Sequence, residues 1–133
     1  MDFSQINYLA IFLAALSNFV LGFFWYNPAT LGKMWQKETG LSDSDIENSN
    51  MGMIFGTSFI LTVFITFNLA MFIGSEADLG TSTFYGFLTG FGWVAMSMGI
   101  NDLFEHRSMK LFLINAGYHV VGYTLIGLVL GLM

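Results

Sequence analysis

The chain contains no cysteine, one proline and four lysine or arginine side chains among 133 residues. Without cysteine, disulfides, thiolate metal sites and cysteine nucleophiles are excluded. With four basic residues against nine acidic ones and a net charge of −5, nucleic acid is excluded as a partner, because its binding rests on clustered Lys and Arg. Charged side chains make up 10% of the chain, far below the ~25% of a soluble domain, while 55% is hydrophobic. A single soluble domain of this length cannot bury so much apolar surface.

What the chain does have is four long runs without any Asp, Glu, Lys or Arg: Phe3 to Gly32, Asn48 to Ser75, Leu79 to Asn101 and Leu111 to Met133. Each exceeds the ~20 residues a helix needs to cross a ~30 Å hydrocarbon layer. They predict an all-α, integral membrane four-helix transmembrane bundle occupying residues 1–133 as one transmembrane domain. The expected helices are about 7–26, 51–73, 83–103 and 110–132. Asp2, and the lack of Lys or Arg before Lys33, argue against a cleaved leader, so the first helix is expected to be retained.

Helix one carries Ala10, Ala14, Asn18 and Gly22 at four-residue intervals, a small face for close packing in lipid. Asn18 falls near mid-membrane and is expected to hydrogen-bond another helix, with a ligand contact as the alternative. Gly52/Gly56 with Thr57, Ser58, Thr62 and Thr66 mark a polar-tolerant side of helix two. Gly86/Gly90 and Ala95/Gly99 do the same for helix three.

The first connection opens with FWYNPATLGKMW. An aromatic girdle ends in Trp25 and Tyr26; Asn27 and Pro28 then suit an N-cap and first turn. Leu31, Met34 and Trp35 lie opposite Lys33, Gln36 and Lys37, which predicts an interfacial helix over about 28–39, closed by Gly40. All four basic residues, Lys33, Lys37, Arg107 and Lys110, lie in the first and third connections. By the positive-inside rule, loops 27–50 and 104–110 are expected in the cytoplasm and both termini outside it.

Two clusters carry candidate chemistry. Asn101, Asp102, Glu105 and Arg107 close helix three, and Asp102, Glu105 and His106 would converge if that helix continued through the turn. The cations Arg107 and Lys110 compete for the same carboxylates, so a salt-bridged helix end is expected there and no metal site. On helix four, Asn115, Tyr118, His119 and Gly122 form a polar stripe, with His119 roughly 13 Å into the layer. An ionisable group at that depth needs a partner or a wet cavity. Two readings stand: a proton relay or ligand contact through His119 and Tyr118, or a neutral histidine bonded within the bundle. Partners in reach of the second reading are Ser17, Asn18, Thr62, Thr66 and Ser97.

The Trp25-Tyr26-Asn27-Pro28…Gly32-Lys33…Trp35 corner, the Asn101–Arg107 turn and the Lys110–His119 opening of helix four, in this order, resemble a bacterial family of small membrane proteins, domain of unknown function 1761. The resemblance spans the whole chain. It implies a four-helix protein of a bacterial inner membrane without an assigned activity. No nucleophile has an adjacent base and no phosphate-cradling loop appears, so no cofactor is expected. The functional expectation is a non-enzymatic structural or accessory protein, or an oligomeric small-solute or ion pathway. Membrane lipid and either a second copy or a larger membrane complex are its expected partners. The alternative is a small membrane enzyme or a lipid-interacting sensor with an interfacial acid/base site.

Overall fold

The computed structural model describes residues 3–133, and every regular element among them is helical. After a single 3₁₀ turn, Phe3–Gln5, come α1 (Tyr8–Trp25), α2 (Gly32–Thr39), α3 (Asp43–Glu47) and α4 (Met51–Ile73). Then follow α5 (Leu79–Leu88), a π-helical segment (Thr89–Ala95), α6 (Met96–Phe104) and α7 (Met109–Leu132). Side-chain caps fix most starts: Asn7, Ser42, Asn50, Asp78 and Ser108 each accept a backbone N–H from the first turn of the following helix. Ser42 and Asp45 form a reciprocal capping box.

Three helices, α1, α4 and α7, are long and apolar enough to cross a membrane. α5, the π segment and α6 abut without a break from Leu79 to Phe104, and the residues at both joints keep helical backbone angles. This stretch begins earlier than the expected residue 83 because Asp78 caps it. Buried apolar side chains are few; Ala14, Leu69 and Ile126 form the central cluster. Large side chains such as Leu9, Phe24, Phe64 and Leu103 are exposed, as suits helices whose solvent is lipid.

α7 packs against every other long helix. Its tightest neighbour is α5, where a Cβ on Gly86 or Gly127 would run into the facing backbone, at Tyr123 O and Ser82 O respectively. Ser82 Oγ donates to Gly127 O at 2.6 Å across this seam. The π segment continues the fit, since a Cβ on Gly90 would lie 3.0 Å from His119 O. α1 and α4 instead meet through phenylalanine rings, with Phe19 centroids 6.1 and 5.5 Å from Phe55 and Phe59.

The expected small face of α1 does turn inward: Ala10, Ala14 and Asn18 are buried and Gly22 faces Tyr118. Thr62 and Thr66 are buried on α4, whereas Gly56 has open space around it and Gly52 meets only its own cap, Asn50.

Candidate functional site: the latch between α1, α2 and α7

The interfacial helix starts four residues later than the expected 28, at Gly32. The cause is the Asn27-Pro28 turn. Asn27 Oδ1 accepts from Ala29 N, and Asn27 O accepts from both Thr30 N and Gly32 N, which holds the chain in a turn where a helix would otherwise begin. Thr30 Oγ1 reaches back to the last carbonyls of α1, including Trp25 O at 3.0 Å, and so closes that helix. Gly32 is obligatory: a Cβ there would overlap the Tyr26 and Asn27 backbone. The Trp-Tyr-Asn-Pro…Gly-Lys pattern is therefore, at its centre, a folded corner that brings Trp35 back onto Tyr26, at 5.9 Å between ring centroids.

That corner is fastened to α7 by three hydrogen bonds. Trp25 Nε1 donates to Ile114 O at 2.9 Å, Tyr26 Oη to Asn115 Oδ1 at 2.7 Å, and Tyr118 Oη to Asn18 O at 3.3 Å. Tyr118 packs its ring between Trp25 and Tyr26, 6.4 and 5.4 Å away. Gly117 and Gly22 make the room: a Cβ on the first would lie 3.2 Å from Trp25 Cζ2, and on the second 3.3 Å from Tyr118 Oη. Each neutral hydrogen bond is worth about 0.5–1.5 kcal/mol net, and each ring pair a similar amount.

One atom of the latch is unusual. Asn18 is 6% exposed, and its Oδ1 has no hydrogen-bond donor among the described residues. It fills the space over Gly122 that a side chain would occupy, a placement suited to a weak Cα–H···O contact. The side-chain hydrogen bond expected from Asn18 to another helix is thus replaced by backbone contact, and the notch at Gly122 permits it.

His119 does not take up the hydrogen bond within the bundle that one of its two readings expects. Its imidazole lies against Tyr118 and Tyr123, at 5.1 and 6.4 Å between centroids, and makes no hydrogen bond among the described residues. The hydroxyls expected to meet it serve their own helices instead: Ser17 bonds Ala14 O, Thr62 bonds Ser58 O and Thr66 bonds Thr62 O.

The charged corner does not converge on the latch. α6 ends at Phe104, and His106 takes φ +56°, so Asp102, Glu105 and His106 do not share a helical face. Arg107 N donates to Asp102 O and His106 N to Leu103 O, the double bond of a left-handed helix stop in which His106 holds the place usually given to glycine. Glu105 and Arg107 form an exposed ion pair at 2.8 Å; hydrogen bonding and attraction from Glu105 raise the guanidinium pKa further. Asn101 and Lys33 are exposed and bond to neither. Among the described residues, no three His, Asp or Glu gather as a metal site.

The real tie between the two loops runs through residues the sequence did not single out. Ser108 Oγ donates to Glu38 of α2 at 2.7 Å while accepting Leu111 N at the start of α7. Ser108 three residues before Leu111 is a readable cap signal; its partnership with Glu38 has no local signature.

Residues 9–131 match a family model described as "Protein of unknown function (DUF1761)". No curated protein and no solved structure matches the chain.

Proposed function

The chain belongs to the DUF1761 family, and on that footing we propose that it is a multi-pass protein of a bacterial inner membrane that crosses it four times. We further propose that it acts without catalysis, as an assembling or accessory unit. The unbroken helical stretch from Leu79 to Phe104 supplies the fourth crossing, since it is free of charge up to Asn101. In this reading, loops 27–50 and 104–110 lie in the cytoplasm and both termini outside. A non-catalytic role is supported by the latch: the polar atoms of Trp25, Tyr26 and Tyr118 are all engaged in holding helices together. His119 lies against the rings of Tyr118 and Tyr123, and in this reading a solute pathway would form between copies.

The observation that carries assembly is the first third of α4. Every residue from Met51 to Ser58 is exposed, and apart from Phe55, whose ring meets Phe19 and Phe23 of α1, the stretch has little cover from the rest of the chain. Gly52, Gly56, Thr57 and Ser58 crowd this bare stretch, and small and hydroxylated residues are what close helix contacts in lipid use. The occupant we assign is the same stretch of a second copy, because the chain's other Gly-xxx-Gly faces are already filled. The cysteine-free sequence permits a direct test by oxidising Gly56→Cys and Phe64→Cys variants in native membranes. Disulfide dimers at position 56 and none at 64 are expected. Absence of dimers at 56, with a monomeric mass in two mild detergents, would contradict assembly through this face.

A further inference from the structure

α4 and α5 hardly touch each other, and between them lies an open lateral groove of about 580 Å³. Phe72 wedges it apart, with ring centroids 5.6 Å from Tyr85 and 5.5 Å from Trp93. The other wall is built by Phe64 and Asn68 of α4, Thr89 and Trp93 of the π segment, and Tyr123 of α7. π-helical turns widen a helix locally and recur at functional sites.

The polar atoms in this groove are in the wrong place for a lipid-facing wall. Trp93 is 56% exposed, yet it stands 14 residues from the Leu79 end and 11 from the Phe104 end of its helical stretch, near mid-membrane. Exposed tryptophan is usual at headgroup depth, not there. Its indole N–H makes no hydrogen bond among the described residues, and neither does the Tyr123 hydroxyl, about 14 Å from the Leu132 end of α7. Asn68 uses its Nδ2 on Phe64 O at 2.8 Å, which leaves Oδ1 as an open acceptor. Hydrocarbon satisfies none of these atoms, and unpaired polar groups are costly in it.

From this juxtaposition we propose that the groove binds a membrane quinone or its quinol: an uncharged, flat ring with oxygen substituents and an apolar tail. Each property answers an observation. The groove has no charged lining residue, so the ligand is neutral. Phe64, Phe72, Trp93 and Tyr123 offer ring faces to a flat partner. The Trp93 N–H and Tyr123 O–H donate to ring oxygens, and Asn68 Oδ1 accepts from the reduced form. Phospholipid is a poor match, because its ester oxygens lie at headgroup depth while these donors lie near the centre. The depth argument rests on the four-crossing reading; the binding test below does not.

The test uses purified full-length protein in detergent and a decyl-substituted benzoquinone as the probe, with binding read from saturable quenching of tryptophan emission. Tyr123→Phe removes one hydroxyl and keeps the ring, and should weaken binding about three- to tenfold, the value of one hydrogen bond. Thr89→Phe fills the groove and should abolish the saturable component, while decylbenzene, which lacks the oxygens, should not compete. Equal affinity in wild type and Tyr123→Phe, or equal competition by decylbenzene, would overturn the proposal and leave an acyl-chain cleft. A groove closed by a second copy, seen as cross-linking at Phe64→Cys with no quenching, would overturn it too. If quenching is saturable and weakened in Tyr123→Phe, the site stands even where cysteine labelling refutes four crossings.

Discussion

Gly127→Ala adds one methyl group, and the surrounding backbone sets its cost. The new carbon would overlap Ser82 O and approach Gly86 Cα to 3.2 Å, and both are main-chain atoms that cannot rotate away. α5 and α7 must therefore separate, which costs about 1–3 kcal/mol as overpacking. Separation also weakens the 2.6 Å bond from Ser82 Oγ to Gly127 O, worth about 0.5–1.5 kcal/mol. Alanine returns up to ~1 kcal/mol through its better helix propensity. The expected net loss is about 1–3 kcal/mol. Gly92→Ala is the matched control: a Cβ there would meet only the Leu88 side chain of its own helical stretch, at an ordinary 3.6 Å, so the propensity gain dominates and the variant should be neutral or stabilising by up to ~1 kcal/mol. Unfolding in mixed micelles by increasing SDS, followed by helical circular dichroism, reads both variants. A Gly127→Ala protein as stable as wild type would refute backbone contact between α5 and α7.

The left-handed His106 gives a prediction of opposite sign. His106→Gly removes a Cβ penalty of roughly 1–2 kcal/mol, offset in part by glycine's greater unfolded freedom, and should stabilise by about 0.5–1 kcal/mol. His106→Ala keeps the Cβ and should bring no such gain in the same SDS titration; equal gains in both would argue against the left-handed stop. Acid provides a further handle at Asp78, whose carboxylate is held below its ordinary 3.8 chiefly by the Thr81 backbone N–H. A depressed folded-state pKa stabilises above the unfolded value, and that stability is lost as pH falls through the folded one, here below about pH 4. Thermal midpoints between about pH 3 and 6 should fall less steeply for Asp78→Asn, which still caps α5, than for wild type. Parallel curves would remove the cap from the account.

How much of this was legible depended on the range of each interaction. Charge-free runs located the long helices because lipid-exposed helices are apolar on all sides; α4 was expected at 51–73 and is Met51–Ile73. Cap residues refined the ends, and Asp78 moved the third long stretch to an earlier start. The π segment left no mark in hydropathy, and neither did the close approach of its Gly90 to the α7 backbone. Asn27-Pro28 admits both a helix start and a turn; the choice is made by Gly32 fitting under the Tyr26 and Asn27 carbonyls, a contact no periodicity reveals. Of the expected site residues, Trp25, Tyr26, Trp35, Asn115 and Tyr118 come together, since aromatic and amide groups at helix ends find partners on the neighbouring helix. Asn101, Asp102, Glu105 and Arg107 stay apart from them, because one left-handed residue, His106, redirects the chain. The Glu38–Ser108 bond joins residues 70 apart and was beyond any local pattern.

The most direct test of the whole account is the side of the membrane on which each connection lies. Single cysteines at Ser44, Ala77 and His106 in the cysteine-free chain can be exposed to a membrane-impermeant maleimide, in intact and in permeabilised cells. Four crossings predict labelling of position 77 in intact cells, with 44 and 106 labelled only after permeabilisation. Positions 77 and 106 reacting from the same side would mean that the stretch from Leu79 to Phe104 does not span the membrane, and would contradict the four-crossing protein.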